Sequence, residues 1–345
     1  MIHQGSPTRD FMPINQTRTE GSHDQGFGPM TSKSAAENKY PDPPPVKPGW
    51  LELTQAVFNH SVARWDKENC DGGLHWQIFT FNAGYNYKNS ISNGCFFNIA
   101  SRLARYTGNS TYADWATYSP YWMAYIHGGG KCVNRTDTQW SYNAGIFLQG
   151  AAVMCNLTRS DVWKTWTDGL VKQPLKEFVK DGVIFKPARE PARGCDLNGS
   201  SFKGYSIRWL VSTIKMAPHI TDTIYPIMQA TATAAALACS ESDASFRGLP
   251  GTACGFYGQI NAGLKDSSVL GNKCCYRRYS SAVCKTKETA GIQGYPYEEP
   301  RKCLEKGYVQ GGGNPETNTC GTTGLKNQPQ SRNHPKTKWK KITLT

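Results

Sequence analysis

The sequence predicts an all-α fold. Apolar residues recur three and four positions apart in segment after segment, capping and stop residues punctuate those segments, and no run alternates with the period of two that a half-buried strand needs. With 345 residues, 38% of them hydrophobic and 12% aromatic, the chain carries enough apolar side chain for one large domain or two small ones. No run of 18 apolar residues occurs, so no segment reads as a membrane-spanning helix.

The first helix follows the break Pro41-Asp42-Pro43-Pro44-Pro45 and carries Trp50, Leu53, Val57 and Trp65 on one face. A second places Phe96, Phe97, Ala100, Leu103 and Ala104 together, and Gly108-Asn109 stops it. Ser110 is the expected cap of a third, which bears Tyr112 and Trp115. Tyr142, Ile146, Phe147, Val153 and Met154 form a fourth. Ser160 caps a fifth with Trp163, Trp166 and Leu170. Phe202, Tyr205, Trp209 and Met216 mark a sixth that Pro218 ends, and the Ala-rich stretch from Ile224 to Cys239 is a seventh.

A faint repeat runs through these segments. Asn93 and Phe97 recur fifty residues later as Asn143 and Phe147, and Asp24, Phe27 and Ala35-Ala36 give a weaker third echo. Repeated helical hairpins stack into a solenoid or close into a toroid, and an irregular helical domain is the plainer alternative. Gly94, Gly145, Gly150, Ala151 and Ala152 would let such helices approach closely.

The net charge of +13 belongs to one end of the chain: from Lys265 onward there are 15 Lys and Arg against 6 Asp and Glu. Past about residue 257 the periodicity stops, and a solvated basic tail is a better reading than a nucleic-acid binder. Twelve cysteines, none in Cys-x-x-Cys spacing, and six Asn-x-Ser/Thr sequons at Asn15, Asn59, Asn109, Asn134, Asn156 and Asn198 favour a secreted glycoprotein. The start, Met1-Ile2-His3-Gln4-Gly5, lacks the basic and apolar regions of a signal peptide. Cys239 and Cys254 bracket a Gly/Ser-rich loop after the Ala-rich helix and are expected to form a disulfide.

No nucleotide cradle, Gly-x-Ser-x-Gly elbow or His-Glu-x-x-His site is present, so neither cofactor nor metal is expected. Aromatic and amide residues instead crowd together at Trp76-Gln77, Phe81-Asn82, Tyr85, Trp140 and Tyr142-Asn143. Aromatic faces stack on the C–H side of sugar rings and amides bond hydroxyls, although on composition alone core packing is the better explanation of such aromatics. Glycoside hydrolysis needs a pair of carboxyl groups, and the segment Glu20-Gly21-Ser22-His23-Asp24-Gln25 is the candidate.

The run Trp76-Gln77-Ile78-Phe79-Thr80-Phe81-Asn82-Ala83-Gly84-Tyr85 and its continuation to Gly94, with Leu103-Ala104-Arg105-Tyr106-Thr107-Gly108-Asn109 and Gln139-Trp140-Ser141-Tyr142-Asn143, closely resembles the fungal branch of glycoside hydrolase family 76. These are endo-α-1,6-mannosidase-type cell-wall enzymes of the Dfg5/Dcw1 kind. The resemblance covers about residues 11 to 256 and implies an (α/α)6 toroid, secretion and a glycolipid anchor. It also implies action on α-1,6-mannan or mannoprotein glycans, as a monomer. The family signature, two adjacent Asp and then Gln, falls on His23, Asp24 and Gln25. Asp24 keeps the acid/base position, whereas His23 stands at the nucleophile's. Gln25, Trp76, Gln77, Asn82, Tyr85, Asn93, Trp140, Tyr142 and Asn143 are the expected sugar contacts.

Only 22 residues precede the signature, the stretch between Trp122 and Lys131 looks shortened to Gly128-Gly129-Gly130, and no apolar anchor signal closes the chain. The expectation is therefore a partial toroidal domain over 1–257 and a low-order basic tail over 258–345. The alternative to an impaired mannosidase is a non-catalytic mannan-binding wall protein or an inactive remnant.

Overall fold

A computed structural model describes residues 10–12, 19–127, 138–188, 197–237, 239–240 and 253–254. The stretch around Gly128-Gly129-Gly130 and the whole expected tail lie outside the described residues. Eight α-helices occur among those described: α1 Ser22–Glu37, α2 Trp50–Ala63, α3 Ser90–Thr107, α4 Ser110–His127, α5 Ser141–Thr158, α6 Asp161–Phe178, α7 Leu197–Met216 and α8 Thr221–Leu237. The all-α expectation holds, and the weak echo around Asp24 is a helix in its own right.

Local chemistry sets the helix ends. The Asn89 side chain accepts from Ser92 N–H at 3.1 Å to open α3, and Gly108, at φ +72°, closes it. The cap of α4 is Asn109, which accepts from Thr111 N–H at 2.9 Å, one residue before the expected Ser110. Ser160 caps α6 as expected, taking Val162 N–H at 3.2 Å. A 3-10 turn, Pro218–Ile220, ends α7. Two small antiparallel hairpins were not legible in the sequence: β1 Val179–Lys180 with β2 Val183–Ile184, and β3 Cys239–Ser240 with β4 Ala253–Cys254. Each strand is two residues long, below any window in which a period of two can register. The first turns on Asp181 and Gly182, both at positive φ.

The described residues divide into two compact units. The first contains α1 to α4, α5 from Asn143 and α6 as far as Leu170. Its centre is α3, which packs against α1, α2 and α4 and buries residues on every side, polar Asn93, Asn98, Ser101 and Arg102 included. Phe58 stacks on Phe96 at 5.4 Å and meets Tyr112 edge-on at 4.8 Å, while Trp65 and Trp115 close the same aromatic cluster. Glycines let α5 come close: a Cβ on Gly94 would lie 2.6 Å from Ile146, and one on Gly150 would lie 2.5 Å from the Phe97 ring. The repeated phenylalanines, Phe97 and Phe147, stack at 5.7 Å.

A buried ionic knot ties α1 to α3. Arg102 grips Glu37 through Nε at 3.2 Å and Nη2 at 2.5 Å and donates to Met30 C=O at 3.1 Å. The Lys33 ammonium lies 3.2 Å from Glu37 and 3.6 Å over the Tyr106 ring. Burial pushes Lys33 down to about 8 against the pull of Glu37. Burial pushes the Glu37 carboxyl up, but Arg102 and Lys33 outweigh it and hold the group below its ordinary value. The second unit contains Gln139–Tyr142 and the chain from Val171, with the β1–β2 hairpin fixed to α8 by Ile184 N–H donating to Thr231 at 3.0 Å.

Candidate active site

The N-terminus of α1 is built against a long loop that joins α2 to α3. Ser22 N–H donates to Trp76 C=O at 2.8 Å, and Gly21 forms an antiparallel bridge with Gln77. Gly21 has no room for a side chain, since a Cβ there would meet His23 Nδ1 at 2.9 Å and Trp76 O at 3.1 Å. Asp24 occupies the first turn. Its Oδ2 accepts from Gly21 N–H at 3.0 Å, and its side chain is 54% exposed. The unpaired N–H groups of a helix start favour a carboxylate there.

His23 Nε2 lies 3.3 Å from Asp24 Oδ1, and its ring is 6.3 Å from that of Trp76. Adjacency to Asp24 would be expected to raise the His23 pKa. The structure reverses this. The side chain is 22% exposed, and burial, the larger influence, lowers the pKa against the pull of Asp24. Nδ1 is buried without a hydrogen-bond partner. Burial thus favours the neutral imidazole at His23, with Nε2 facing Asp24.

Behind this turn lies a polar layer. Gln25 is fully buried, donating from Nε2 to Asp10 C=O at 2.8 Å and accepting from Arg64 Nη2. Asp10 pairs with His60 at 3.2 Å. Glu20 sits beside them, and its carboxyl is pushed up to about 7, chiefly by burial, with Asp24 and Asp10 adding and Arg64 opposing. Asp10 and Arg64 carry no local sequence signal. They are visible only once the chain has folded.

The loop is pinned from within. Asp66 receives His75 Nε2 and Lys88 Nζ, each at 2.9 Å, together with Asn69 Nδ2 at 3.1 Å. Burial pushes the Asp66 carboxyl up, but the Lys88 and Asn69 side chains and the Glu68 and Asn69 amides outweigh it and hold it far below the usual range. His75 Nδ1 meets Tyr85 C=O at 2.7 Å, and its ring stacks on Tyr85 at 4.3 Å. Asn93, 1% exposed, accepts from Leu74 N–H at 2.8 Å and donates to Leu74 C=O at 3.1 Å and Asn89 C=O at 3.0 Å.

The fold therefore assembles His23, Asp24, Gln25, Trp76, Gln77, Asn82 and Tyr85 in one neighbourhood. Trp76 and Gln77 meet α1 directly, and Asn82 Nδ2 donates to Gln77 Oε1 at 3.3 Å. Gln25 and Asn93, expected on the sugar, have their amides committed inside the protein and support the site from behind. Trp140 and Tyr142 stand in the second unit, where both pack on Phe202 and Tyr142 stacks at 3.9 Å. Asn143 lies in the first unit with its Oδ1 buried and unpartnered.

Among the sequons, Asn59 and Asn109 are exposed and Asn156 accepts from Arg105 at 3.0 Å. Asn15, Asn134 and the Asn198 side chain lie outside the described residues. Cys70 and Cys155 are disulfide-bonded and Cys95 is free and buried, while β3 and β4 set Cys239 opposite Cys254. Among the described residues no group of three or more His, Cys, Asp or Glu is arranged to hold a metal ion.

The model of glycosyl hydrolase family 76 matches residues 1–289. The chain belongs to glycosyl hydrolase family 76. The match runs past residue 257, beyond the stretch of about 11 to 256 expected from the motifs. Mannan endo-1,6-alpha-mannosidase DCW1 of Saccharomyces cerevisiae is 37% identical over 91% of this chain and 75% of its own. Mannan endo-1,6-alpha-mannosidase DFG5 of Candida albicans is 40% identical over 74% of this chain, and the match spans 59% of its length. The crystal structure of Dfg5 from Chaetomium thermophilum in complex with glucosamine superposes with a TM-score of 0.71 at 37% identity, covering 83% of this chain and 73% of that one.

Proposed function

We propose that this family 76 chain is a glycosidase of the mannan endo-1,6-α-mannosidase type, acting on α-1,6-linked mannose chains of the fungal wall with Asp24 as general acid/base. The observation that carries this reading is Asp24 itself: an exposed carboxyl on the first turn of α1, oriented by Gly21 N–H and lying beside the Trp76 loop. The names of the relatives support the substrate. The family's (α/α)6 toroid, a secreted or wall-bound location and N-glycans on Asn59 and Asn109 belong to the same reading.

Retaining hydrolysis needs a second carboxylate about 5–5.5 Å from the acid, to attack the anomeric carbon and stabilise the cationic transition state. By the family signature His23 takes the place of that nucleophile, and an imidazole brings no negative charge in either protonation state. One unit-charge interaction at about 4 Å and an effective dielectric near 20 is worth about 4 kcal/mol. Its loss slows turnover about a thousandfold. The neutral His23 also favours a second reading, in which the chain binds mannan without cleaving it.

The experiment is reducing-end release from α-1,6-mannan. The chain as it stands is expected to release little or none, His23→Asp to restore cleavage, and Asp24→Asn in that background to abolish it. Robust cleavage by the unmodified chain would refute the assignment of the nucleophile position. A folded, mannan-binding His23→Asp chain that remained inert would refute it as well.

A further inference from the structure

The tip of the Trp76 loop presents an aromatic pair to solvent. Phe79 and Phe81 stack at 5.4 Å with their planes 17° apart, and Phe81 is 66% exposed. A large apolar ring held in water is unfavourable unless something covers it. The ring is also held firmly. Asn82 N–H donates to Phe79 C=O at 3.1 Å and Tyr85 N–H to Asn82 C=O at 3.1 Å, while Asp66, Lys88 and Asn93 fasten the loop's two ends. Asn82 follows Phe81 directly, and its Nδ2 donates to Gln77 Oε1 at 3.3 Å. A flat apolar face flanked by amides suits a pyranose, whose C–H face stacks on the ring while its hydroxyls meet the amides.

The geometry points to a second carbohydrate contact on this loop: the Phe79–Phe81 pair as a stacking platform for a mannose unit further along the chain than the immediate neighbour of the one at Asp24. Continuity argues for the occupant. Gln77 bridges Gly21, three residues before Asp24, and Phe81 follows Gln77 by four residues. Four residues span at most about 14 Å, and the turns shorten that reach. A mannan chain bound at Asp24 therefore passes within range of the platform. The inference rests on the mannan reading given above.

The test is calorimetric titration of α-1,6-mannobiose and α-1,6-mannohexaose into the full chain carrying Asp24→Asn, which prevents turnover. Phe81→Ala added to it should weaken hexaose binding about five- to tenfold and leave mannobiose within about twofold, with Phe81→Trp restoring the hexaose affinity. An unchanged melting temperature is expected, because Phe81 supports little of the core. Equal losses for both sugars, or none for the hexaose, would overturn the platform and leave the mannan reading standing. A folded chain that bound neither sugar would overturn both.

Discussion

Removing the Asn93 amide should loosen the loop that carries Trp76. In Asn93→Ala, Leu74 N–H and C=O both lose their side-chain partner in a place where Leu74 itself is 2% exposed, so water cannot readily replace it. A buried backbone group left unpaired costs about 1–3 kcal/mol, and two such groups give about 2–4 kcal/mol once partial relaxation is allowed. For a folded body of this size that is a fall in Tm of about 6–12 °C. Urea unfolding followed by tryptophan fluorescence measures the cost. Asn93→Asp is the informative comparison: it still accepts from Leu74 N–H but sets a carboxylate against two carbonyls, and should be at least as harmful as alanine. A loss below about 0.5 kcal/mol for both variants would refute the claim that Asn93 holds the loop, and would return its amide to the pool of candidate sugar contacts.

Glu20 sets a pH slope. Its carboxyl has an ordinary value of 4.5 and is pushed up to about 7 in the fold, so between these the native chain keeps a proton that the unfolded chain has lost. Its contribution is complete below about pH 4.5 and disappears as pH rises to about 7; for a half-buried group screened by solvent this amounts to about 1–2 kcal/mol. Glu20→Gln should gain about that much at pH 7.5 and nothing at pH 4.5, and parallel stability curves would rule the slope out. Gly150→Ala should cost about 1–3 kcal/mol, because its Cβ would lie 2.5 Å from Phe97, whereas Gly169→Ala in the open middle of α6 should gain up to about 1 kcal/mol. Cys239 and Cys254 are cross-strand partners and are expected to pair, adding about 3 kcal/mol. Non-reducing peptide mapping that found both thiols free in secreted material would contradict this.

Where the sequence could be read, a simple periodic signal stood behind it. Seven helices follow from apolar spacing, and Gly108, Ser160 and Pro218 mark three of their ends. The helix α1 is the instructive exception. Ser22-His23-Asp24-Gln25-Gly26-Phe27-Gly28-Pro29 has poor helix propensity, with two glycines and a proline in eight residues. Its helicity is a tertiary product: Gly26 is where Cys95 presses and Gly28 where the Phe11 ring does, each within 3 Å of a would-be Cβ. In the site, Asp24 was legible through its motif. The roles of Gln25 and Asn93 were not, because an amide bonds a sugar hydroxyl and a backbone carbonyl with the same atoms, and only burial tells them apart. The charge of His23 failed for a similar reason, since sequence displays the neighbouring carboxylate and hides the desolvation that outweighs it.

The contact between Gly26 and Cys95 supplies a built-in reporter. The thiol is free, buried under α1, and pushed well above its ordinary value by its surroundings, so it is inert to alkylating reagents while the helix is in place. Reaction requires α1 to lift away from α3, and the same movement carries off Asp24, His23 and Gln25. The labelling rate of Cys95, read by mass spectrometry at several temperatures, thus clocks how often the first turn of α1 comes apart. A sugar gripped by that turn would slow the clock without ever touching the sulfur.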